Sequence, residues 1–231
     1  MSKILVTGGL GYIGSHTVVE LQNNGNDVVV VDNLANTTLT VADRIKKITG
    51  KSFAFYNVDV CDTPALEEVF KKENITAVIH FAAYKAVGKS VDKPVEYYQN
   101  NVSGLISLLH CVKQYNVNAF VFSSSCTVYG DTKESPITET HPIVEAISPY
   151  GTTKILGEEI LSDFSKFSDT HTVCLRYFNP VGAHESALIG ELPLGVPSNL
   201  IPYVTQTAAG IREQLTIFGN DYNTPDGTNI R

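Results

Sequence analysis

Nowhere in these 231 residues is there an apolar run of the length that a membrane-crossing helix needs, and no sequence unit repeats. The four cysteines, Cys61, Cys111, Cys126 and Cys174, stand far apart with no C-x-x-C pair. That spacing argues against a metal site or a disulfide framework and for reduced, mostly buried thiols. Positive charge is also scarce. Against 24 Asp and Glu there are 17 Lys and Arg, a formal net charge of −7, which argues against nucleic acid or an anionic membrane as the main partner. Any phosphate-bearing ligand then has to be held by local donors. The first residues carry one lysine and a short apolar stretch before glycine, too little for a signal-peptide core, so the expected location is cytoplasmic. What remains, 43% hydrophobic and 18% charged, is ordinary for a globular enzyme with a substantial core.

The first pattern present is Lys3-Ile4-Leu5-Val6-Thr7, a strand, leading into Gly8-Gly9-Leu10-Gly11-Tyr12-Ile13-Gly14 and a helix-like segment. A second strand, Val28-Val29-Val30-Val31, then ends at Asp32. Strand, glycine turn, helix, strand and acid form the layout of a dinucleotide-binding βαβ unit. Glycine lets the main chain approach a pyrophosphate, which meets free N–H groups at the positive end of the helix. The spacing is G-x-x-G-x-x-G, at 8, 11 and 14. Asp32 suits both ribose hydroxyls and repels a 2′-phosphate, and Asn33 and Leu34 after it supply no cation. The expected cofactor is therefore NAD rather than NADP.

Strand and helix patterns then alternate with short connections. Residues 53–59 read as a third strand, and Thr63-Pro64 opens a helix with a cap and a proline at its first position. Residues 77–81 read as a fourth strand, followed after Pro94 by a long helical pattern to Val112. Residues 119–123 make a fifth strand, 150–167 a helix and 172–176 a last strand. Such alternation requires crossovers and predicts an α/β fold: a doubly wound parallel sheet of Rossmann type, with ligands outside the carboxyl ends of its strands. The alternation stops near Asn179, where the text becomes rich in Pro, Gly and Asn. The expected organisation is a NAD-binding domain over 1–178 and part of a smaller substrate lobe over 179–231.

Tyr150 and Lys154 form Y-x-x-x-K at the start of a helix, which places both side chains on one face. An ammonium near a phenol favours the phenolate, so Tyr150 is expected to act as a general base with a lowered pKa. Ser123-Ser124-Ser125 leaves the fifth strand at the sheet edge where a nicotinamide is expected, and Ser125 is the hydroxyl expected to bridge substrate and tyrosine.

Taken with Thr7 to Gly14, Asp32-Asn33-Leu34, His80-Phe81-Ala82, Lys85-Ala86-Val87-Gly88, Asn100-Asn101, Val128-Tyr129-Gly130 and Arg176-Tyr177-Phe178-Asn179-Pro180, the chain resembles the UDP-hexose 4-epimerases of the extended short-chain dehydrogenase/reductase family. The resemblance runs over essentially the whole chain. It implies interconversion of UDP-glucose and UDP-galactose, by hydride abstraction at C4 and return through a 4-keto intermediate, and a homodimer. Carried over by motif, Gly8, Gly11, Tyr12 and Ile13 would hold the pyrophosphate. Asp32, Asn33 and Asn36 would take the adenosine ribose, and Asp59 and Val60 the adenine. Phe81, Ala82, Ala83, Lys85, Asn100, Ser123, Tyr177 and Phe178 would complete the NAD site. Ser125, Tyr150 and Lys154 match the catalytic set, with Tyr150 and Lys154 also touching NAD. Lys85, Ser125, Tyr150, Asn179, Asn199, Leu200, Phe218 and Arg231 match positions that grip the UDP-sugar. The sequence departs from the family at Ala83, Lys89 and Cys126, and the family continues well past the position of Arg231. A sugar-nucleotide 4,6-dehydratase is the rival reading, but Thr127 is followed by Val128-Tyr129 rather than an acidic pair. A shortened, non-catalytic NAD-binding protein is the other.

Overall fold

The computed structural model describes residues 3–132 and 135–228. Six parallel strands, β1 (Lys3–Thr7), β2 (Asp27–Val31), β3 (Ala54–Tyr56), β4 (Ala77–His80), β5 (Ala119–Ser125) and β6 (His171–Tyr177), form one sheet in the order β3-β2-β1-β4-β5-β6. The chain thus winds outward on one side of β1, returns, and winds outward on the other. Between β1 and β4 the connections diverge, which opens a crevice at the carboxyl ends of these strands. Thr7 is level with His80 and Val31 at that end, and Ser125 with Tyr177.

Helices cover both faces. One apolar layer contains Leu5, Val29, Val78 and Phe120 with Leu105, Leu108 and Leu109 of α6 (Gly104–Gln114), Leu66 and Val69 of α3 (Thr63–Lys72) and Leu161 of α7 (Pro149–Lys166). The opposite layer joins Val6, Val28 and Val30 to Val18 and Val19 of α1 (Tyr12–Asn23) and Ile45 of α2 (Thr40–Thr49). Strand residues of alternating number go to opposite layers, as pleating requires.

Some boundaries differ from those expected. The helix cap is Asp62, not Thr63: its carboxylate accepts from the Ala65 N–H at 3.1 Å, while the Thr63 hydroxyl donates to Ser107 at 2.9 Å. β3 ends at Tyr56 because the chain turns there, Val58 N–H donating back to the Tyr56 carbonyl at 3.1 Å. The long helix after Pro94 divides into α5 (Pro94–Tyr98), a π-helical turn (Gln99–Ser103) and α6. Residues 87–92 form the separate short helix α4 (Val87–Asp92).

Two compact units divide the chain, Met1–Glu191 and Leu192–Arg231. Residues 179–191, placed by the sequence with the second lobe, group with the first unit because Ile189 is buried in the layer containing Val6 and Leu10. Gly182 also accepts a hydrogen bond from the Tyr12 hydroxyl at 2.7 Å, and Arg44 donates to the Leu188 carbonyl at 3.3 Å. The second unit contains α8 (Leu200–Ala208), where Arg212 caps the structure by donating to Gln206 at 2.8 Å and lying over the Tyr203 ring. Among the described residues no helix is long and apolar enough to cross a membrane.

Candidate active site

The glycine turn is built around one tight approach. Gly8 has φ +66°, and a Cβ on it would lie 2.7 Å from the Ala82 backbone nitrogen, so no side chain fits between the ends of β1 and β4. A Cβ on Gly14 would overlap the Gly8 carbonyl oxygen, so the start of α1 sits directly on the turn. Gly11 is the N-terminal flanking residue of α1, which has no side-chain cap and no acid in its first turn. Its leading N–H groups face an uncluttered turn of the kind that receives a phosphate.

Asp32 follows β2 and is 8% exposed. Its two oxygens accept from Leu10 N–H at 3.2 Å and Leu34 N–H at 2.9 Å, which joins the glycine turn to the end of β2. Burial raises its pKa above the usual carboxylate range, and the two backbone donors oppose the rise. Each oxygen keeps acceptor capacity for a further donor. Beside it Asn33 donates to Asp59 at 2.8 Å, and Asp59 accepts from Cys61 N–H at 2.8 Å. Burial pushes Asp59 up, but these donors hold it below its ordinary value. Val60 is buried, and Asn33 and Asn36 are exposed. This glycine cradle, the short approach to Ala82 and the carboxylate at the end of β2 fit a dinucleotide.

Across the crevice β5 and α7 bring the second group together. Ser148 caps α7 by accepting from Gly151 N–H at 3.2 Å, and Pro149 starts the first turn, so Tyr150 stands at the mouth of the helix and Lys154 one turn inside. Ser125, the last residue of β5, lies beside the Tyr150 phenol, and its hydroxyl favours the phenolate. The Lys154 ammonium donates to the Ser123 carbonyl at 2.7 Å and lies 5.7 Å from the centre of the Tyr150 ring. The spacing Y-x-x-x-K thus does place both side chains on one side of α7.

The expected acidification of Tyr150 is not seen. Burial raises the phenol above its ordinary value, only partly countered by Ser125, because the Lys154 ammonium turns to the backbone of β5. Burial in turn lowers Lys154 from 10.5 to about 8. Below about pH 8 the lysine is charged whether folded or unfolded, and the cost of burying it is felt in full. Between about 8 and 10.5 the folded lysine is neutral while the unfolded one is still charged, so that cost shrinks as pH rises. Lys154→Met is therefore expected to raise the unfolding temperature of the ligand-free protein at pH 7, by the equivalent of about 3 kcal/mol. The advantage should narrow toward pH 10, and thermal scans giving a pH-independent difference would contradict this account of Lys154.

The remaining candidates fall into three groups. Phe81, Ala82 and Ala83, on the turn leaving β4, are partly buried, with the Phe81 ring 6.4 Å from that of Tyr177 at the end of β6. Lys85 is exposed and pairs with Glu191 at 3.0 Å. Asn100 lies on the π-helical turn, while Phe178 and Asn179 are exposed just beyond β6. Asn199, Leu200 and Phe218 belong to the second unit, at and after the start of α8. Arg231 lies outside the described residues.

Two features escaped the sequence. Glu158 of α7 accepts from Arg176 of β6 through both oxygens, at 2.7 Å from Nη2 and 3.0 Å from Nε, and from the Ser124 hydroxyl. The signal was available, since Glu158 lies at i+4 from Lys154. The other is Asn101, whose buried amide joins its own π-helical turn to Tyr84 after β4 and to Thr153 of α7.

Relatives fix the family. A UDP-glucose 4-epimerase of Pasteurella multocida is 54% identical over 229 residues, covering 99% of this chain and 68% of its own. The chain belongs to the UDP-glucose 4-epimerase family. The epimerase of Schizosaccharomyces pombe is also 54% identical, with 99% of this chain and 65% of its own covered. This chain thus spans about two thirds of the length of the epimerases it matches. Among solved structures, the UDP-glucose 4-epimerase of Bifidobacterium longum in complex with NAD+ and UDP superposes with a TM-score of 0.95 at 50% identity, over 98% of this chain and 68% of that one. The epimerase of Stenotrophomonas maltophila, with NAD and formylated UDP-arabinopyranose, gives 0.93 at 49%, over 99% and 68%. A broader family model, described as GDP-mannose 4,6 dehydratase, matches residues 5–231.

Proposed function

We propose that the protein is a UDP-glucose 4-epimerase that uses bound NAD to interconvert UDP-glucose and UDP-galactose. The observation that carries this reading is the placing of Ser125, Tyr150 and Lys154 at the carboxyl end of β5, across the crevice from the glycine turn and Asp32. Relatives with NAD and UDP bound support it. When bound, NAD supplies a reversible hydride acceptor at C4, so that the sugar passes through a 4-ketone. Gly8, Gly11, Tyr12 and Ile13 would hold its pyrophosphate, Asp32, Asn33 and Asn36 the ribose, Asp59 and Val60 the adenine, and Phe81 to Ala83, Lys85, Asn100, Ser123, Tyr177 and Phe178 the rest.

Tyr150 takes the proton of the C4 hydroxyl and returns it. Ser125, beside that phenol, orients the same oxygen. Lys154 keeps the β5 end and α7 at hydrogen-bonding distance and adds positive charge beneath the phenol. Asn179, Asn199, Leu200, Phe218 and Arg231 are assigned to the UDP half, whose remote binding energy positions the reacting carbon. Residues 179–191 are counted with the substrate lobe by role although they pack with the first unit, the working location is the cytoplasm and the working assembly is a homodimer. A dehydratase would want an acidic pair after Thr127, where this chain has Val128 and Tyr129.

Two measurements test the reading. Mass spectrometry of the denatured protein's supernatant is expected to find NAD; NADP would overturn the assignment of Asp32. Incubation with UDP-galactose is expected to yield UDP-glucose with no 6-deoxy product. Formation of a 4-keto-6-deoxy sugar would replace the epimerase reading with the dehydratase.

A further inference from the structure

Phe122 lies within β5 and is 2% exposed. Its ring supports α7 directly. A Cβ on Gly157 would lie 2.6 Å from the ring's Cζ, so the helix has no side chain where the ring meets it. On the sheet Phe122 is level with His80 of β4, and the two rings stack with centroids 6.0 Å apart and 24° between their planes. The Lys154 ammonium lies 4.9 Å from the centre of the Phe122 ring. That is inside the roughly 6 Å over which a ring face attracts a cation. β5 thus meets the ammonium twice, through the Ser123 carbonyl at 2.7 Å and through the ring of the residue before it.

A buried ammonium is ordinarily paired with a carboxylate. Lys154 is 4% exposed, and among the described residues no acid opposes the fall that burial imposes on it. Glu158, one turn further along α7, is engaged by Arg176 of β6 and by the Ser124 hydroxyl. The charges of α4 and α5, Lys89, Asp92 and Glu96, are exposed. Burial, and then the charge of Lys154, lower His80 to about 3, so its imidazole is neutral beside Phe122. Burial also keeps Tyr97 of α5, Tyr150 and Tyr177 of β6 as neutral phenols and Cys126 as a neutral thiol. The ammonium is therefore met by groups without net charge. We propose that Phe122 is a positioning residue for the 4-epimerase reaction, its ring face holding the Lys154 ammonium charged and in place beneath Tyr150. The proposal rests on the epimerase reading and adds a buried residue that acts through Lys154. A carboxylate in the same place would also hold the ammonium, but its charge would cancel the pull of Lys154 on the phenol; a ring face holds the cation and leaves its field intact.

The test replaces Phe122 alone, in the full protein with its bound cofactor, by monofluoro-, difluoro- and trifluorophenylalanine. Fluorine withdraws electron density from the ring face and nearly preserves the ring's shape, so the attraction for a cation weakens in steps while the packing stays. Lys154 is expected to lose its proton more easily at each step. The alkaline limb of the kcat profile then moves down, by about one pH unit for the trifluoro ring, with KM for UDP-galactose within about twofold of wild type. A limb that stays in place across the series overturns the proposal. So does a shift that does not follow the number of fluorines, or a rise in KM with the kcat profile intact.

Thermal unfolding of the same proteins supplies a second readout that does not need turnover. The trifluoro ring is expected to lower the unfolding temperature at pH 6, where the folded lysine is charged, relative to its effect at pH 10, where the folded lysine is neutral. In Lys154→Met the same replacement is expected to act equally at both pH values, because no cation remains to be held. Equal effects at pH 6 and pH 10 with Lys154 present, the result of a role in packing alone, overturn the proposal. A wild-type protein with no epimerase activity removes the epimerase reading itself, and the unfolding comparison then decides whether the ring holds the ammonium.

Discussion

Tyr150→Phe is expected to reduce turnover of UDP-galactose by on the order of 10²-fold or more while leaving the fold intact. Phenylalanine keeps the ring that stands above Lys154 and removes the phenol oxygen beside Ser125. Burial raises the pKa of the phenol, so the hydroxyl is uncharged in the ligand-free protein and has to be ionised before it can take a proton. The measurement is steady-state kcat alongside the amount of NAD retained and the unfolding temperature. A rate within about threefold of wild type, on the scale of general-base effects, would strip Tyr150 of its role.

Glu158→Ala is expected to be the most damaging single change to stability outside the apolar layers. Its carboxylate is 9% exposed and the Arg176 guanidinium 20%, and the two meet in a forked pair of hydrogen bonds. Removing one partner of so covered a pair leaves the guanidinium with the Tyr129 hydroxyl at 2.9 Å and the Glu139 carbonyl at 3.4 Å, and leaves Ser124 without its acceptor. The cost is about 3 kcal/mol. For a domain of this size that lowers the unfolding temperature by roughly 6–12 °C. Glu158→Gln preserves the shape and the Ser124 contact and should fall less. Thermal scans giving equal, small shifts for both variants would show that the pair contributes little.

The parts legible in the sequence are those where one residue type has one task. Glycine at 8 and 14 is dictated by backbone approach, Asp32 by the end of a strand, and the buried valines of β2 by a sheet covered on both faces. What escaped depends on which of several donors wins a partner. Nothing in Y-x-x-x-K says that the ammonium turns to the Ser123 carbonyl; that is decided by β5 continuing to Ser125, which its pairing with Tyr177 permits. Asp62 and Thr63 are both good helix caps, and the Thr63 hydroxyl is diverted by Ser107, 44 residues away. The π turn has no local signature in Gln99 to Ser103, because the bonds it allows Asn101 run to two other segments, at Tyr84 and Thr153. Long-range hydrogen bonds, not periodicity, set these details.

The strand order also governs how the chain assembles. β1 finds β2 after one short helix, but its other edge pairs with β4, Thr7 lying level with His80. A ribosome must therefore release the whole of α2, β3 and α3 before the central strand is enclosed. Until then one edge of β1 shows unpaired N–H and C=O groups and the buried side chains Leu5 and Val6 lack half their cover. Pairings this distant in sequence slow folding and extend the time in which a nascent chain can find the wrong partner. The crevice at the carboxyl ends of the strands and the late enclosure of β1 in folding thus have one origin, the reversal of the winding at β1.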